Sequence, residues 1–61
     1  MYAIFFHTDG LAASCVTGYD TQEQAESLAH YWSGKAVRHE SWTKIRVVEE
    51  DTLKEMAVIT W

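Results

Sequence analysis

Residues 19–34 carry a complete set of helix signals, and this stretch constrains the fold more than any other part of the chain. Thr21 and Gln24 form a capping box, in which each side chain satisfies a backbone N–H group left unpaired in the first turn. Apolar residues then recur at helical spacing, at Ala25, Leu28, Ala29 and Trp32. Gly34 stands where a left-handed residue commonly ends a helix. The pattern predicts one amphipathic helix over residues 22–33.

The segment before the helix predicts a β-hairpin. Residues 2–8 are rich in aromatic and β-branched side chains, which favour strands. Asp9 and Gly10 follow, and this dipeptide is typical of a two-residue hairpin turn because both of its positions require positive φ. We therefore expect residues 11–18 to return as the second strand of the hairpin.

A two-residue turn also predicts which side chains share each face of the hairpin. One face would carry apolar and small residues: Ile4, Phe6, Ala13 and Cys15. Small residues leave room for Leu28 and Trp32, so we expect the helix to cover this face. Phe5 and Val16 would lie on the opposite face. They form a candidate contact surface, unless the C-terminal segment packs over them or they are simply two exposed apolar residues.

The segment after the helix is interpreted as three further strands. Residues 35–40 would form the first, with Val37 pointing inward. Residues 44–49 have the clearest strand pattern, because Ile45 and Val47 alternate with charged side chains and therefore share one face.

The connections in this half are polar. Residues 41–43 are expected to bend the chain, and the acidic residues 49–52 to form a solvated break. The last strand would be residues 56–61, although Asp51 or Thr52 could first cap one helical turn over 53–56. The expected element order is β-β-α-β-β-β. This order indicates a single α+β domain, a small antiparallel sheet with one amphipathic helix packed on one face.

Charge and composition limit the partners that this domain can have. The chain has 61 residues, 48% of them hydrophobic, and a formal net charge of −4. Residues 1–34 contain four acidic residues and no Lys or Arg, and the five basic residues all lie between 35 and 54. Net acidity disfavours direct binding to nucleic acid. It favours a solvated surface or docking onto a basic partner.

We expect no catalytic centre, metal or cofactor. Cys15 is expected in mid-strand on the core face, where a free cysteine acts as a small hydrophobe. The three histidines, His7, His30 and His39, lack metal-ligand spacing, and no glycine-rich phosphate loop is present. One cysteine, no basic signal-peptide region and no apolar run of about 18 residues favour a cytoplasmic protein without a membrane span.

Two groups of charged residues are candidates for partner binding. The first is the acidic helix face, which we define as Asp20, Glu23 and Glu26, with His30 one turn beyond Glu26 and expected to contact it. The alternative interpretation of this face is a solvated helix surface that binds no partner. The second is the outward pair on the strand over residues 44–49, namely Lys44 and Arg46. Arg is enriched at interaction hot spots, whereas outward charge also protects edge strands from aggregation.

A hairpin, a capped helix and a strand with an outward arginine resemble the small phage-encoded inhibitor of bacterial RNA polymerase found in T-odd phages. The matching residues are Thr21, Glu23, Ala25, Leu28, Ala29, Tyr31 and Arg46. HicB-type antitoxins also place such a helix after an Asp-Gly hairpin, but this chain has no Pro-Asp-Leu-Pro-Gly segment. In size and charge the chain is similar to anti-CRISPR proteins. The resemblance implies a host protein or ribonucleoprotein complex as partner and Arg46 as a candidate contact.

The resulting hypothesis is a non-enzymatic inhibitor encoded by a phage or mobile element and active in the host cytoplasm. It would block a basic nucleic-acid channel or a subunit joint, with an anti-CRISPR role as the specific expectation. The alternative is a small oligomeric or toxin–antitoxin-type subunit that uses its exposed sheet face. Either a monomer or a homodimer is compatible with the sequence.

Overall fold

The computed structural model of the chain describes residues 1–9 and 13–61. Its elements follow in the order β1 (Tyr2–Thr8), β2 (Ser14–Tyr19), α1 (Gln22–Ser33), β3 (Trp42–Glu49) and β4 (Glu55–Ile59). Within these residues the strands form one antiparallel sheet in the order β2-β1-β3-β4, and α1 packs on one of its faces. The predicted α+β class is confirmed, with two strands after the helix where three were expected.

The helix begins and ends at the predicted residues. Thr21 Oγ1 accepts a hydrogen bond from the Gln24 backbone N–H at 3.1 Å, and Gln24 Oε1 accepts one from the Asp20 N–H at 3.3 Å. Gly34 differs from the expectation, because its φ of −61° and ψ of 141° are extended rather than left-handed. The Gly34 N–H still donates to the Tyr31 carbonyl, so the last turn of the helix is closed without a left-handed residue.

The hydrophobic core lies between α1 and the sheet. Ala25 and Ala29 are fully buried, so the helix backbone can approach the strands closely. The sheet supplies the larger core side chains: Ile4, Phe6, Ile45 and Val47. Each fully buried aliphatic side chain of this size contributes about 1.5–3 kcal/mol through the hydrophobic effect. The predicted inward face of β3 is confirmed.

A two-residue turn predicts Ile4 opposite Cys15, and the observed pairing of β1 with β2 differs from this register by one residue. Ile4 lies opposite Val16, and Phe5 lies opposite Cys15. Because successive side chains of a strand point to opposite faces, this shift exchanges the faces of β2. Val16 therefore lies on the helix-covered face and Cys15 on the uncovered face. The predictions that placed Val16 outside and Cys15 in the core are wrong.

The predicted two-residue turn at Asp9-Gly10 falls largely outside the described residues, since residues 10–12 are not among them. β2 begins at Ser14, three residues later than predicted. Ala13, which was expected on the helix-covered face, precedes the strand.

Residues 35–40 are not a strand. The backbone N–H groups of Val37 and Arg38 both donate to the Gly34 carbonyl, so the chain turns immediately after the helix. Val37 is exposed rather than inward. The chain also turns at residues 50–52, and no helical turn precedes β4.

Candidate partner-binding surfaces

An open aromatic groove lies between the C-terminal half of α1 and the sheet. Five side chains line it, around a volume of about 360 Å³: Phe6, Val16, Tyr19, Trp32 and Trp42. The rings of Phe6 and Trp42 stack with their centroids 4.7 Å apart, and Trp32 meets Trp42 edge-on at 6.4 Å. Trp32 remains 39% exposed and Val16 46% exposed. The groove therefore leaves apolar surface in contact with water beside β2.

Trp42 belongs to this groove, although the residue pattern of β3 does not predict it. Strict alternation along β3 places Trp42 on the same side as Lys44 and Arg46, away from the helix. The pairing of β1 with β3 shifts between His7 and Thr8, and this irregularity brings Trp42 against Phe6. A large aromatic residue one position out of phase at the start of a strand is the signal that could have indicated a bulge.

The acidic helix face is present as predicted. Asp20 and Glu23 are exposed, while Glu26 is partly buried and accepts a hydrogen bond from Gln22 Nε2 at 2.8 Å. In the part of the chain that the structure describes, the carboxylates in ion pairs are those of Glu49 and Glu55. The three carboxylates of the acidic helix face are therefore not neutralised within these residues.

His30 lies one turn beyond Glu26 on α1 but does not make the contact expected of it. The side chain is exposed on α1, but within the described residues neither an ion pair nor a hydrogen bond joins it to Glu26. The backbone carbonyl of His30 accepts a hydrogen bond from Ser33 Oγ at 2.7 Å. The predicted contact between His30 and Glu26 is wrong.

The uncovered face of the sheet, which we call the open sheet face, carries a cluster centred on Arg46. Arg46 Nε donates to His7 Nε2 at 2.7 Å, and Arg46 Nη1 lies 3.4 Å from Glu55 Oε1. The guanidinium carbon also lies 5.1 Å from the centroid of the Phe5 ring, which is cation–π geometry. Lys44 and Arg46 share this face as predicted, but the Arg46 fork is already engaged by groups of its own chain.

The electrostatics of this cluster favour a neutral imidazole at His7. Burial and the positive charges of Arg46 and Lys44 lower the pKa of His7, and the Glu55 carboxylate opposes them. A neutral ring can present Nε2 as an acceptor to the Arg46 Nε–H, whereas a protonated ring cannot. The observed hydrogen bond therefore depends on the protonation state of His7.

Cys15 is exposed on β2 beside Phe5. Partial burial of the sulfur and the Glu50 carboxylate raise the pKa of the Cys15 thiol, so at neutral pH the group is the poorly nucleophilic thiol. Among the described residues, no three His, Cys, Asp or Glu side chains are arranged to hold a metal ion.

The acidic stretch after β3 contains structural carboxylates. Glu49 accepts hydrogen bonds from the Thr52 N–H at 2.8 Å, from Thr52 Oγ1 at 2.7 Å and from the Asp51 N–H at 3.2 Å. These bonds lower the pKa of Glu49 from 4.5 to about 2. Glu50 accepts a hydrogen bond from the Gly18 N–H at 3.0 Å and so ties this turn to β2. The acidic stretch was expected to be a solvated break between strands, but Glu49 and Glu50 form hydrogen bonds that hold it in an ordered turn.

Comparisons with protein-family models, with curated proteins and with solved structures give no match. Among the helical residues that the structure describes, none form a helix long and apolar enough to cross a lipid bilayer. The fold and its surfaces define the chain as a small α+β domain with three distinct faces: an acidic helix face, an aromatic groove and an open sheet face.

Proposed function

We propose that the chain is a non-enzymatic, protein-binding inhibitor, encoded by a phage or another mobile element, that acts on a nucleic-acid-handling complex of the host. The specific form of this proposal is an anti-CRISPR protein. The observation that supports it is the acidic helix face, where three carboxylates at the N-terminal end of α1 have no cationic partner within the described residues. A basic channel that normally receives phosphates attracts such a face.

The proposed mechanism has an electrostatic step and a packing step. Long-range attraction between the acidic helix face and a basic site raises the rate of encounter. Exposed aromatic surface on the same helix, with Tyr31 at 59% exposure, then supplies the apolar contact that slows dissociation. The bound domain excludes nucleic acid by occupying its site, so no chemical step by the inhibitor is needed.

Two charge-matched variants test the role of the acidic helix face. The first replaces its three carboxylates by amides: Asp20→Asn, Glu23→Gln and Glu26→Gln. The control does the same at three exposed carboxylates elsewhere: Asp9→Asn, Glu40→Gln and Asp51→Asn. Each variant changes the formal net charge from −4 to −1, because three negative charges are removed. A different response of the two variants therefore depends on position and not on total charge.

The binding measurement uses two purified probes, a CRISPR effector ribonucleoprotein and bacterial RNA polymerase. We expect the first variant to slow association with the effector by about tenfold or more and the control to change it much less. Equal slowing by both variants would mean that net charge acts without this face. Binding to RNA polymerase alone would favour the polymerase-inhibitor form of the proposal.

A cellular experiment tests the anti-CRISPR form directly. The chain is expressed in bacteria whose CRISPR system targets an infecting phage, and plaque formation is counted. We expect the wild-type chain to restore plaque formation. The variant with Asp20→Asn, Glu23→Gln and Glu26→Gln should not restore it. Plaque counts that stay at the level of the targeted control would contradict an anti-CRISPR role against that system.

A second candidate function is an oligomeric or toxin–antitoxin-type subunit that associates through its open sheet face. The observation in its favour is the 46% exposed Val58, which lies opposite Arg46 on a face that no described helix or strand covers. Sedimentation of the Val58→Glu variant tests it. An oligomer that dissociates on this substitution supports the subunit, and an unaffected assembly argues against it.

A further inference from the structure

The outer edge of β2 carries backbone groups that no described strand pairs with. β2 stands at one end of the sheet order, and β1 is the only described strand that pairs with it. Outside that pairing, the Gly18 N–H donates to Glu50 Oε2. Residues 14–18 are all exposed. Unpaired N–H and C=O groups along a strand form a template onto which another strand can add.

The two edge strands of the sheet differ in how they are protected. β4 begins at Glu55, whose carboxylate forms an ion pair with Arg46, and Lys54 directly precedes it. Charged side chains therefore flank the start of this edge strand. β2 has no charged residue and no proline, and residues 10–19 as a whole contain no Asp, Glu, Lys or Arg. Edge strands commonly carry charge or proline to prevent pairing with other chains. β2 has neither.

We propose that two copies of this chain associate through their β2 strands, which pair antiparallel about a twofold axis and join the two sheets into one continuous eight-stranded sheet. A second copy fits this edge because an uncharged strand meets an identical uncharged strand, and no charge has to be buried. A twofold axis also makes the same surface serve both partners. Two carboxylates lie at the C-terminal end of β2, because Glu50 accepts a hydrogen bond from the Gly18 N–H and Asp20 follows Tyr19. Antiparallel pairing places these charges of the two copies at opposite ends of the joined strands.

The aromatic groove adds apolar area to this interface. Val16 projects from β2 on the helix-covered face and lines the groove together with Trp32 and Tyr19. In the paired arrangement the two Val16 side chains lie on the same face of the joined sheet, between the two grooves. A stable interface needs about 1,000 Å² in total, or about 500 Å² from each copy. That is about one eighth of the 4083 Å² accessible surface of the chain.

Matched substitutions on the two edge strands test the inference. Val16 on β2 and Val58 on β4 are each 46% exposed, so Glu is comparably tolerated by the fold at either position. Like charges placed across a strand pair are destabilising. We expect wild type to sediment as a dimer at about 100 µM. Val16→Glu should raise the dissociation constant by about tenfold or more, and Val58→Glu should leave it within about twofold.

Several outcomes would overturn the inference. A wild-type chain that stays monomeric at about 100 µM excludes the β2 dimer as a stable species. A dimer lost in Val58→Glu and kept in Val16→Glu places the interface on the open sheet face or at β4. Circular dichroism and thermal unfolding of both variants establish that a monomeric variant is folded.

A distance measurement on the wild-type sequence does not depend on any substitution. Cys15 is the only cysteine, is exposed, and projects from β2 on the open sheet face rather than along the edge, so it accepts a spin label. Neighbouring strands lie about 4.8 Å apart with about 3.4 Å per residue. A β2 pair in which five of the six residues of each strand are matched therefore brings the two Cys15 Cα atoms within about 15 Å.

Pairing through β4 instead would place seven strand spacings, about 34 Å, between the two labelled positions. We expect strong dipolar broadening in the electron paramagnetic resonance spectrum. We expect this broadening to disappear when labelled chain is diluted with unlabelled chain. Label separations beyond about 30 Å would overturn the β2 interface.

Discussion

At the scale of single residues, the contact between Arg46 and His7 gives the open sheet face a pH dependence. The Arg46 Nε–H donates to His7 Nε2 at 2.7 Å, and this requires a neutral ring. Protonation removes the acceptor and places two cations side by side. Because the folded state lowers the pKa of His7 from 6.5, the unfolded chain takes up a proton first as the pH falls.

We therefore predict that the stability associated with His7 is fully present above about pH 6.5 and is lost as the pH falls through the lower pKa of the folded state. The His7→Gln variant keeps an acceptor for Arg46 and should show a smaller loss between about pH 7 and pH 5. Urea unfolding at a series of pH values measures the effect. His30→Gln is the control, since His30 is exposed and does not contact Arg46, and it should keep the wild-type profile.

Glu49 gives a second pH dependence in a more acidic range. Its carboxylate accepts three hydrogen bonds from the turn that follows it, and its pKa is lowered from 4.5 to about 2. A lowered carboxyl pKa means that the stabilisation is present above about pH 4.5 and is lost as the pH falls toward about 2. Glu49→Gln should flatten the thermal stability profile in this range. An unchanged slope in the variant would show that the pH dependence in this range does not come from Glu49.

At the scale of elements, the helix was predictable because its start and its buried face are local properties. The capping box at Thr21 and the apolar positions 25 and 29 depend on residues a few positions apart, and the observed helix has the predicted bounds. The residue that follows the helix was less predictable. Gly34 adopts an extended conformation, and its carbonyl accepts hydrogen bonds from the Val37 and Arg38 N–H groups of the turn that follows.

Thr21→Ala tests the contribution of the helix cap. The substitution removes the Oγ1 acceptor of the Gln24 N–H and leaves that donor to water, so we predict a loss of about 1 kcal/mol in the free energy of unfolding. In a domain of this size, the loss corresponds to a melting temperature lower by about 4–8 °C. Ser27→Ala, at an exposed mid-helix position, is the control and should be neutral or slightly stabilising. Equal effects of both substitutions would contradict a specific role for the cap.

The faces of the hairpin were not predictable from local pattern, and this error affected the candidate site most. The side-chain alternation of a strand has a period of two, so a register shift of one residue exchanges every inward and outward position of the strand. Val16 therefore lies in the aromatic groove and not on the open sheet face, where it was predicted. Cys15 lies on the open sheet face and not in the core. Trp42 joined the groove through a shift in the β1–β3 pairing that alternation alone does not reveal.

At the scale of the whole molecule, charged and uncharged side chains lie on different surfaces. The acidic helix face is unneutralised within the described residues, Arg46 is engaged on the open sheet face, and β2 carries no charge. The two proposed interactions use different parts of this distribution. Inhibitor binding depends on the acidic helix face, whereas the dimer depends on the neutral edge of β2. A dimer would present two acidic helix faces to its target.

A salt series separates the two interactions in one protein. Raising the salt concentration from about 50 to about 500 mM shortens the Debye length from roughly 14 to roughly 4 Å, which screens attraction between the acidic helix face and a basic target. We predict that the association rate with the CRISPR effector falls by about tenfold or more over this range.

The dimer should respond to salt in the opposite direction, or not at all. Each copy carries a formal net charge of −4, so screening weakens the repulsion between copies while the uncharged β2 edge is unaffected. Sedimentation over the same salt series should therefore give a dissociation constant that stays constant or decreases. An association rate that does not change with salt would remove electrostatic steering from the inhibitor mechanism. A dimer that dissociates as salt rises would show that charged groups, and not the neutral β2 edge, hold the two copies together.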